Sequence, residues 1–584
     1  MRHSLPLLVL AACASGPASI ERPADQSVVR ALPAGTVVRV LSVRGDVLPA
    51  VRTAAIDGWL REALRQSDWL DIAAGPVAAE SGLAIAVTVD GVRGTLAASL
   101  VDGKVEQPLG TVTYAAARPE RVLPSAIDRL ALRLRIALGD PVSEQPRPVA
   151  LIHTGDAEAA AGVELALQDA GMGDFAGASK RLQTIRKRDG ASSFVLEAMA
   201  SNASMLGAAD EARRLAEEAL QWTERRSPTT THRLLRTLLL SRASLEPQLA
   251  GKYDQELWTL AQVAMRERPH DPEVRFTAGV ALNFLGRFDE ALPRLQELEQ
   301  RLGAHTGTLY HLGWAALGAG DAATARDAFD RAARSLPIRA TVVPRALARF
   351  AAGDREDLRL FLATVAQDPQ VRSGAALHEI RRMQAANELL AGDGARAAEH
   401  ILADVAWLQA NPSVLELRAG ELADMALVLV RLGEGERLRP LLDPIAAQWP
   451  DTIVADAATY AAGLVEATAT KARATTIEAA LERRGRPFWS SSLAAFGLRQ
   501  QGERAAEGEA LARASQHAAN PLLKAMLIEN LAATGRSDQA RALRDALHRE
   551  LAVVDLRRRS QSPLLAPEYA MAWLAGADDA SVSH

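Results

Sequence analysis

The sequence predicts a mainly α-helical protein, an array of stacked helical hairpins preceded by a small α/β domain. Four glycines form two pairs with a spacing of 34 residues, and each is followed five residues later by alanine: Gly173 and Gly207, Gly286 and Gly320. A period of this length is typical of arrays in which each hairpin buries its apolar face against its neighbours. The composition agrees, because only 4% of the 584 residues are aromatic and alanine and leucine dominate, which favours closely packed helices.

The N-terminus has the features of a secretory signal. A basic start is followed by the apolar residues 5–10 and by small residues before Cys13, the only cysteine in the chain. The segment Leu10-Ala11-Ala12-Cys13 resembles a bacterial lipobox, which implies that residues 1–12 are a signal peptide and that Cys13 carries a lipid. Residues 13–34 would then be a lipidated tether.

The residue after Cys13 indicates in which membrane the lipoprotein would be anchored. Ala14 stands where an aspartate would retain a lipoprotein in the inner membrane, so the resemblance implies the outer membrane. The apolar run is short and contains Pro6, which leaves a second interpretation open. In that alternative the N-terminus is cytosolic and Cys13 is an incidental buried residue.

Residues 35–141 have the pattern of a small α/β domain. Residues 37–43 are β-branched and predict a strand, and residues 51–66 carry apolar side chains at helical spacing. Residues 83–89 and 95–101 predict paired strands on either side of a turn at Asp90-Gly91. A last strand is predicted over 109–115 and a closing helix over 123–138, with residues 142–158 as a linker.

This order of elements resembles the amino-terminal domain of TolB and its FlgO-like relatives. The resemblance is carried by the opening strand, the helix 54–64, the hairpin 85–100 and the helix that contains residues 125–130. It implies a non-catalytic interaction domain, and it supplies no site residues.

Residues 159–550 are predicted to form the hairpin array, and residues 306–339 are its clearest unit. Small residues at Gly313 and Ala325 would let the two helices approach, Gly320 turns the chain and Phe329 fills the space beside them. This pattern resembles the tetratricopeptide repeat, which implies a right-handed superhelix of about ten hairpins with an inner groove.

Parts of the array are less regular. Residues 227–271 are longer than one period, which predicts an insertion near residues 241–252, and residues 451–487 lack a turn glycine. Residues 551–584 are predicted to be a C-terminal cap and tail.

In tetratricopeptide arrays, ligand contacts come from the first helix of each hairpin. The corresponding candidate groove contacts in this chain are Arg275, Asn283, Tyr310, His311 and Trp314. A clamp for a peptide carboxylate would need matched lysine, asparagine and arginine residues in adjacent repeats, and only Arg275 and Asn283 fit. For Tyr310 and Trp314, packing between repeats is the alternative to ligand contact.

The sequence offers little for catalysis or for binding a cofactor. His378-Glu379 begins like a zinc-protease motif, but the second histidine ligand is replaced by Arg382. No catalytic residue, metal site or cofactor is therefore predicted. The formal net charge of −4 does not favour a nucleic-acid partner, and beyond the N-terminus no apolar run is long enough to span a membrane.

These patterns predict an envelope lipoprotein on the periplasmic side of the outer membrane that binds a protein or peptide partner as a scaffold. One alternative is a cytoplasmic signalling or transcription-associated regulator, because TolB-like domains and such repeats also occur in those proteins. A further alternative is an enzyme or processing factor whose site is assembled from distant residues.

Overall fold

The computed structural model describes residues between 30 and 552. The gaps within this span are 34–35, 41–43, 46–49, 68–69, 73–82, 103, 116–118, 142–145, 172–173, 190–191, 223–225, 247–248, 303–305, 335, 337, 373–375, 412–413, 416–418, 451, 470 and 518–519. The predicted signal peptide 1–12, the lipidation site Cys13 and most of the regions 13–34 and 551–584 lie outside the described residues.

The chain forms two compact units. The first comprises residues up to Leu312 together with Arg334–Leu336, and the second comprises Gly313–Ala333 and the residues from Pro337 onward. The first unit begins with the α/β part. Its elements are β1 (Thr36–Val40), β2 (Arg44–Gly45), α1 (Ala50–Leu64), β3 (Leu70–Ile72), β4 (Leu83–Asp90), β5 (Thr95–Asp102), β6 (Val105–Thr113) and α2 (Pro119–Ala137).

The strands form one mixed sheet in the order β3-β1-β4-β5-β6, and β2 also pairs with β4. Strand β1 is parallel to β3 and β4, whereas β4, β5 and β6 form an antiparallel meander. Ile85, Val87 and Val89 are buried at alternate positions, as expected for a strand with one face on the core.

Strand β6 begins earlier than the sequence predicted. The prediction was 109–115, but pairing with β5 already starts at Val105. Pro108 lies opposite Ser99 in this ladder, beside a register shift at Ala98/Ser99. Two arginines of α2 donate hydrogen bonds to backbone carbonyls near the end of this strand. Arg133 Nη1 donates to Thr111 O at 2.6 Å, and Arg129 Nη2 donates to Thr113 O at 2.9 Å.

The α/β part shares its core with the first hairpin. A short helix, α3 (Val149–Ile152), follows α2, and the indole Nε1 of Trp59 on α1 donates to the carbonyl of Thr154 at 2.7 Å. Ala160 and Ala161, on the first helix of the array, belong to the same apolar cluster as the sheet. The sheet, α1 and the start of the array are therefore held together by continuous packing.

The remaining helices of the first unit form hairpins in sequence order. They are α4 (Ala157–Gly171) with α5 (Phe175–Asp189), α6 (Ser193–Met205) with α7 (Ala209–Leu220), α8 (Pro228–Leu245) with α9 (Ala250–Glu267), and α10 (Pro272–Phe284) with α11 (Phe288–Leu302), followed by α12 (Thr306–Gly318). The boundary between the two units falls within α12.

The second unit continues the series after α12. Its helices are α13 (Ala322–Ala332), α14 (Ile338–Ala352), α15 (Arg355–Val365), α16 (Pro369–Arg372), α17 (Ala376–Leu390), α18 (Gly394–Ala410), α19 (Ala419–Arg431), the 3-10 turn Gly435–Leu438, α20 (Arg439–Gln448), α21 (Ile453–Ala469), α22 (Lys471–Arg483), α23 (Pro487–Gln500), α24 (Arg504–His517), α25 (Pro521–Ala533) and α26 (Ser537–Ala552). A mainly α hairpin array therefore follows a small α/β part, which confirms the predicted fold class.

The turns use glycine for a conformational reason. Gly286 and Gly320 have φ values of +71° and +82°, where a side chain would be strained and glycine is not. Residues 227–271 form a longer hairpin, and among the described residues α8 ends at Leu245 and α9 begins at Ala250, within the range 241–252 predicted for the insertion. The extra residues of this hairpin lengthen α8 and α9 to 18 residues each, because no proline or glycine interrupts either helix beyond its first two positions.

Candidate functional site

Three first helices of the first unit present a mostly buried but still accessible surface of aromatic and charged side chains. We call it the α8–α10–α12 surface, and it consists of Arg233, Arg236, Glu273, Phe276, Phe284, Tyr310 and His311. Each of these residues is partly accessible, in contrast to the fully buried residues between the helices. Partly exposed aromatic and arginine side chains are typical of surfaces that bind other proteins.

The rings of this surface pack around His311. The His311 ring meets Phe276 and Phe284 of α10 edge to face, with centroids 5.5 and 6.2 Å apart, and it meets its neighbour Tyr310 at 5.6 Å. Such edge-to-face contacts hold aromatic rings in defined orientations. The surface is therefore ordered before any partner binds.

The charged residues are paired across α8 and α10. Glu273 accepts hydrogen bonds from Arg233 Nη2 and Arg236 Nη1, both at 2.9 Å, and the Arg236 guanidinium lies 5.1 Å from the centre of the Phe276 ring. Burial opposes the charge on Arg233, but the carboxylates Glu273, Glu197 and Glu62 raise its pKa above the usual value. Glu273 thus holds both guanidinium groups in place, and that of Arg236 lies beside the Phe276 ring.

His311 is neutral at physiological pH. Burial, with a smaller contribution from the Arg236 guanidinium, lowers the pKa of His311 to about 4. Its Nδ1 atom is buried and has no hydrogen-bond partner among the described residues. At neutral pH the ring therefore contributes an aromatic face rather than a charge.

Helix α1 of the α/β part borders this surface. Ser227 Oγ, at the start of α8, donates to Glu62 Oε1 at 2.8 Å, and Arg268 Nη2, just before α10, donates to the Arg65 carbonyl at 3.1 Å. Glu62 is buried. The chain's own α/β part therefore covers the beginnings of α8 and α10. The rings of Phe276 and Phe284 lie further along α10 and remain partly accessible.

Two predicted groove residues have other partners. Arg275 points to its own hairpin, where Nη1 donates to Glu297 on α11 at 2.9 Å and Nε donates to the Pro269 carbonyl at 2.8 Å. Asn283 is buried, and its Nδ2 donates to the His311 carbonyl at 2.8 Å. The structure does not bring these two side chains together as a clamp.

Trp314 lies in the second unit and is only 3% exposed. Its ring meets Phe329 of α13 edge to face at 5.4 Å, so it packs within its own hairpin. Tyr310 and His311 are thus the predicted groove residues that belong to the α8–α10–α12 surface.

Sequence reasoning did not single out Arg233, Arg236, Glu273 or Phe276. The 34-residue period locates the first helices, but it does not fix their rotation, and one residue of helical phase separates Arg275 from Phe276. The two phenylalanines of α10, Phe276 and Phe284, were the feature of the sequence that could have indicated this surface.

Within the described ranges, no group of three or more His, Cys, Asp or Glu side chains is arranged to hold a metal ion. None of the helices described has both the length and the apolar character that a membrane span requires.

No protein-family model matches the chain, and no curated protein matches it either. Among solved structures, a tetratricopeptide repeat protein from Parabacteroides merdae aligns at 14% identity over 42% of this chain and 90% of that chain, with a TM-score of 0.26. YrrB, a tetratricopeptide protein with an unusual peptide-binding site, aligns at 20% identity over 33% of this chain and 91% of its own, with a TM-score of 0.19.

A Rap protein in complex with competence and sporulation factor aligns at 12% identity over 58% of this chain and 99% of its own, with a TM-score of 0.33. At these TM-scores the similarities carry no argument about what this chain binds. The repeated hairpins themselves establish its fold.

Proposed function

We propose that this protein is a non-catalytic scaffold that binds a protein or peptide partner through the α8–α10–α12 surface. A lipid on Cys13 would anchor it on the periplasmic side of the outer membrane. The observation that carries the binding proposal is the ordered, partly accessible ring cluster of Phe276, Tyr310 and His311 beside the Arg236 guanidinium.

A surface that is already ordered lowers the free-energy cost of binding. Association is weakened when flexible side chains must be ordered, at about 0.5–1.5 kcal/mol for each one. The rings of this surface are already fixed by contacts with one another, and Arg236 is already held by Glu273. A partner that covers them gains apolar contact area without ordering them first.

Partner capture with matched variants tests the binding surface. Phe276→Ala should reduce recovery of the partner from solubilised membranes about tenfold, because it removes the ring that lies between His311 and the Arg236 guanidinium. Phe361→Ala is the control, since Phe361 is also partly accessible and lies under guanidinium groups at 4.4 and 4.8 Å, but on the second helix of a hairpin. Equal losses in the two variants would contradict the proposed surface.

The compartment is tested by the mass of the N-terminal peptide isolated from the native membrane fraction, with Cys13→Ala as the control. We expect a diacylated cysteine at the new N-terminus of the wild-type protein and no lipid on Cys13→Ala. An unmodified Met1 in a soluble fraction would contradict the lipoprotein and favour the cytoplasmic regulator.

A further inference from the structure

The second unit contains a buried histidine between two carboxylates. His378 on α17 and Asp404 on α18 are both 0% exposed, and Glu421 on α19 is 5% exposed. His378 Nδ1 lies 2.7 Å from Asp404 Oδ2, and its Nε2 lies 2.8 Å from Glu421 Oε2. One imidazole thus connects the two helices of one hairpin to the first helix of the next.

Each of these two contacts needs a proton between the ring nitrogen and the carboxyl oxygen. A neutral imidazole carries one N–H, so one of its nitrogens would direct a lone pair at a carboxylate oxygen. Two contacts below 3 Å are satisfied together when both nitrogens are protonated and both donate.

Arg382 offers a competing arrangement. Its Nη1 lies 3.3 Å from His378 Nε2, so a neutral ring could accept a hydrogen bond from it. The same Nη1 is, however, in close contact with Glu421 Oε2. Glu421 is also the nearer neighbour of Nε2, which favours a protonated ring that donates to Glu421.

The surrounding charges favour the same state. Six ionisable groups belong to this cluster. Asp404 and Glu421 contact the ring, Arg381 and Arg382 lie near these carboxylates, Asp424 lies near Glu421, and Glu379 pairs with Arg382. Four of these are acidic and two are basic, so the site has an excess of negative charge when its carboxyl groups are ionised and the histidine is neutral. Burial raises the pKa of Asp404, and that of Asp424 to about 6, so uptake of a proton by the cluster is favoured. An imidazolium reduces that excess, which lowers the cost of burying the carboxylates.

We propose that His378 is held as an imidazolium that joins hairpin α17–α18 to α19, and that removing this proton loosens the junction between them. The ring also lies nearly parallel to Trp407 of α18, with centroids 6.3 Å apart, so the indole holds it in this plane. The junction is therefore a proton-dependent joint within the array.

The pKa of His378 is shifted in the direction that stabilises the imidazolium. Burial alone would lower it, but the hydrogen bonds to Asp404 and Glu421 outweigh burial and raise the pKa of His378 above 6.5. The contribution to stability is then fully present below pH 6.5 and is lost as the pH rises through the raised folded value.

Nitrogen NMR of the histidine rings in the wild-type chain tests the proposal without any variant. His378 should keep two equivalent protonated ring nitrogens at a pH where His400, half-exposed on the same hairpin, is already neutral. A neutral His378 at that pH, with a lone pair on Nε2, would overturn it in favour of the bond from Arg382.

Hydrogen exchange measured along the chain gives a second readout. In wild type, amides of α17 and α19 should lose protection at high pH beyond the intrinsic effect of pH on exchange. His378→Gln should show the same loss already at neutral pH, whereas His400→Gln should behave as wild type. If His378→Gln retained the pH dependence of wild type, the proton on His378 could not be the cause.

Discussion

The α8–α10–α12 surface of the first unit and the His378 cluster of the second unit use similar residues in opposite ways. Both place a histidine on a first helix near arginine and carboxylate side chains. In the first unit His311 is a neutral ring at a partly accessible surface, and its neighbours Arg233, Arg236 and Glu273 pair around accessible aromatic faces. In the second unit His378 is sealed between Asp404 and Glu421.

The difference shows what decides the role of a first-helix residue. The period of the array puts both histidines on equivalent helices, but the two rings differ in what surrounds them. Burial and the Arg236 guanidinium favour the neutral form of His311, whereas hydrogen bonds to two carboxylates outweigh burial at His378 and favour its charged form. Position in the repeat therefore does not distinguish a residue of an accessible surface, such as His311, from one buried between helices, such as His378.

The largest expected difference between the regions is in stability. Asp404→Asn leaves His378 without one of its two anionic partners, and breaking a buried pair costs about 3–5 kcal/mol. Glu273→Gln, at a carboxylate whose side chain is 28% exposed, should cost about 1 kcal/mol or less. Chemical denaturation of the two variants measures both values, and equal losses would contradict the contrast between a buried joint and a partly accessible surface.

A smaller loss of stability should come from the close approach of two helices within one hairpin, α12 and α13. A Cβ atom on Gly313 would lie 2.6 Å from the fully buried Phe329 ring, so Gly313→Ala should cost about 1–3 kcal/mol. Gly497 is the matched control, because it also lies in a first helix but has open space where a Cβ would project. Gly497→Ala should stabilise by about 0.5–1 kcal/mol, and a gain of stability in Gly313→Ala would refute the close approach.

The sequence predicted the hairpins well because the responsible signals are local. Gly286 and Gly320 mark turns that need a positive φ, and apolar spacing marks the helices between them. The form of the predicted insertion at residues 227–271 could not be read from the sequence. A spacing of 45 residues does not reveal whether the extra residues form a loop or extra helical turns, and here they extend α8 and α9.

The site could be predicted only in part. The five candidate groove residues lie on first helices, as the period predicts, and their contact with a partner stays a prediction. The pairing of Arg236 with Glu273 joins residues 37 positions apart and depends on the rotation of two helices. His378 has its partners 26 and 43 residues away. Nothing local in the sequence marks Asp404 or Glu421 as those partners.

The smallest and most selective effect concerns pH. The pKa of His311 is lowered to about 4, so the unfolded chain binds a proton there between pH 6.5 and pH 4 while the folded chain does not. His311 therefore contributes stability that is lost as the pH falls through this window, which is opposite in sign to the contribution of His378. Histidine NMR should show His311 titrating near pH 4, and titration near 6.5 would contradict its burial among the rings.

The most direct test of the central claim is site-specific photo-crosslinking in native membranes. A photoreactive side chain at position 310, within the α8–α10–α12 surface, is compared with one at Arg294, an exposed position on the second helix α11. If the surface binds the partner, position 310 gives a discrete crosslinked species that disappears in Phe276→Ala, and position 294 gives none. Crosslinking to the same species from both positions, or from position 294 alone, would contradict the account.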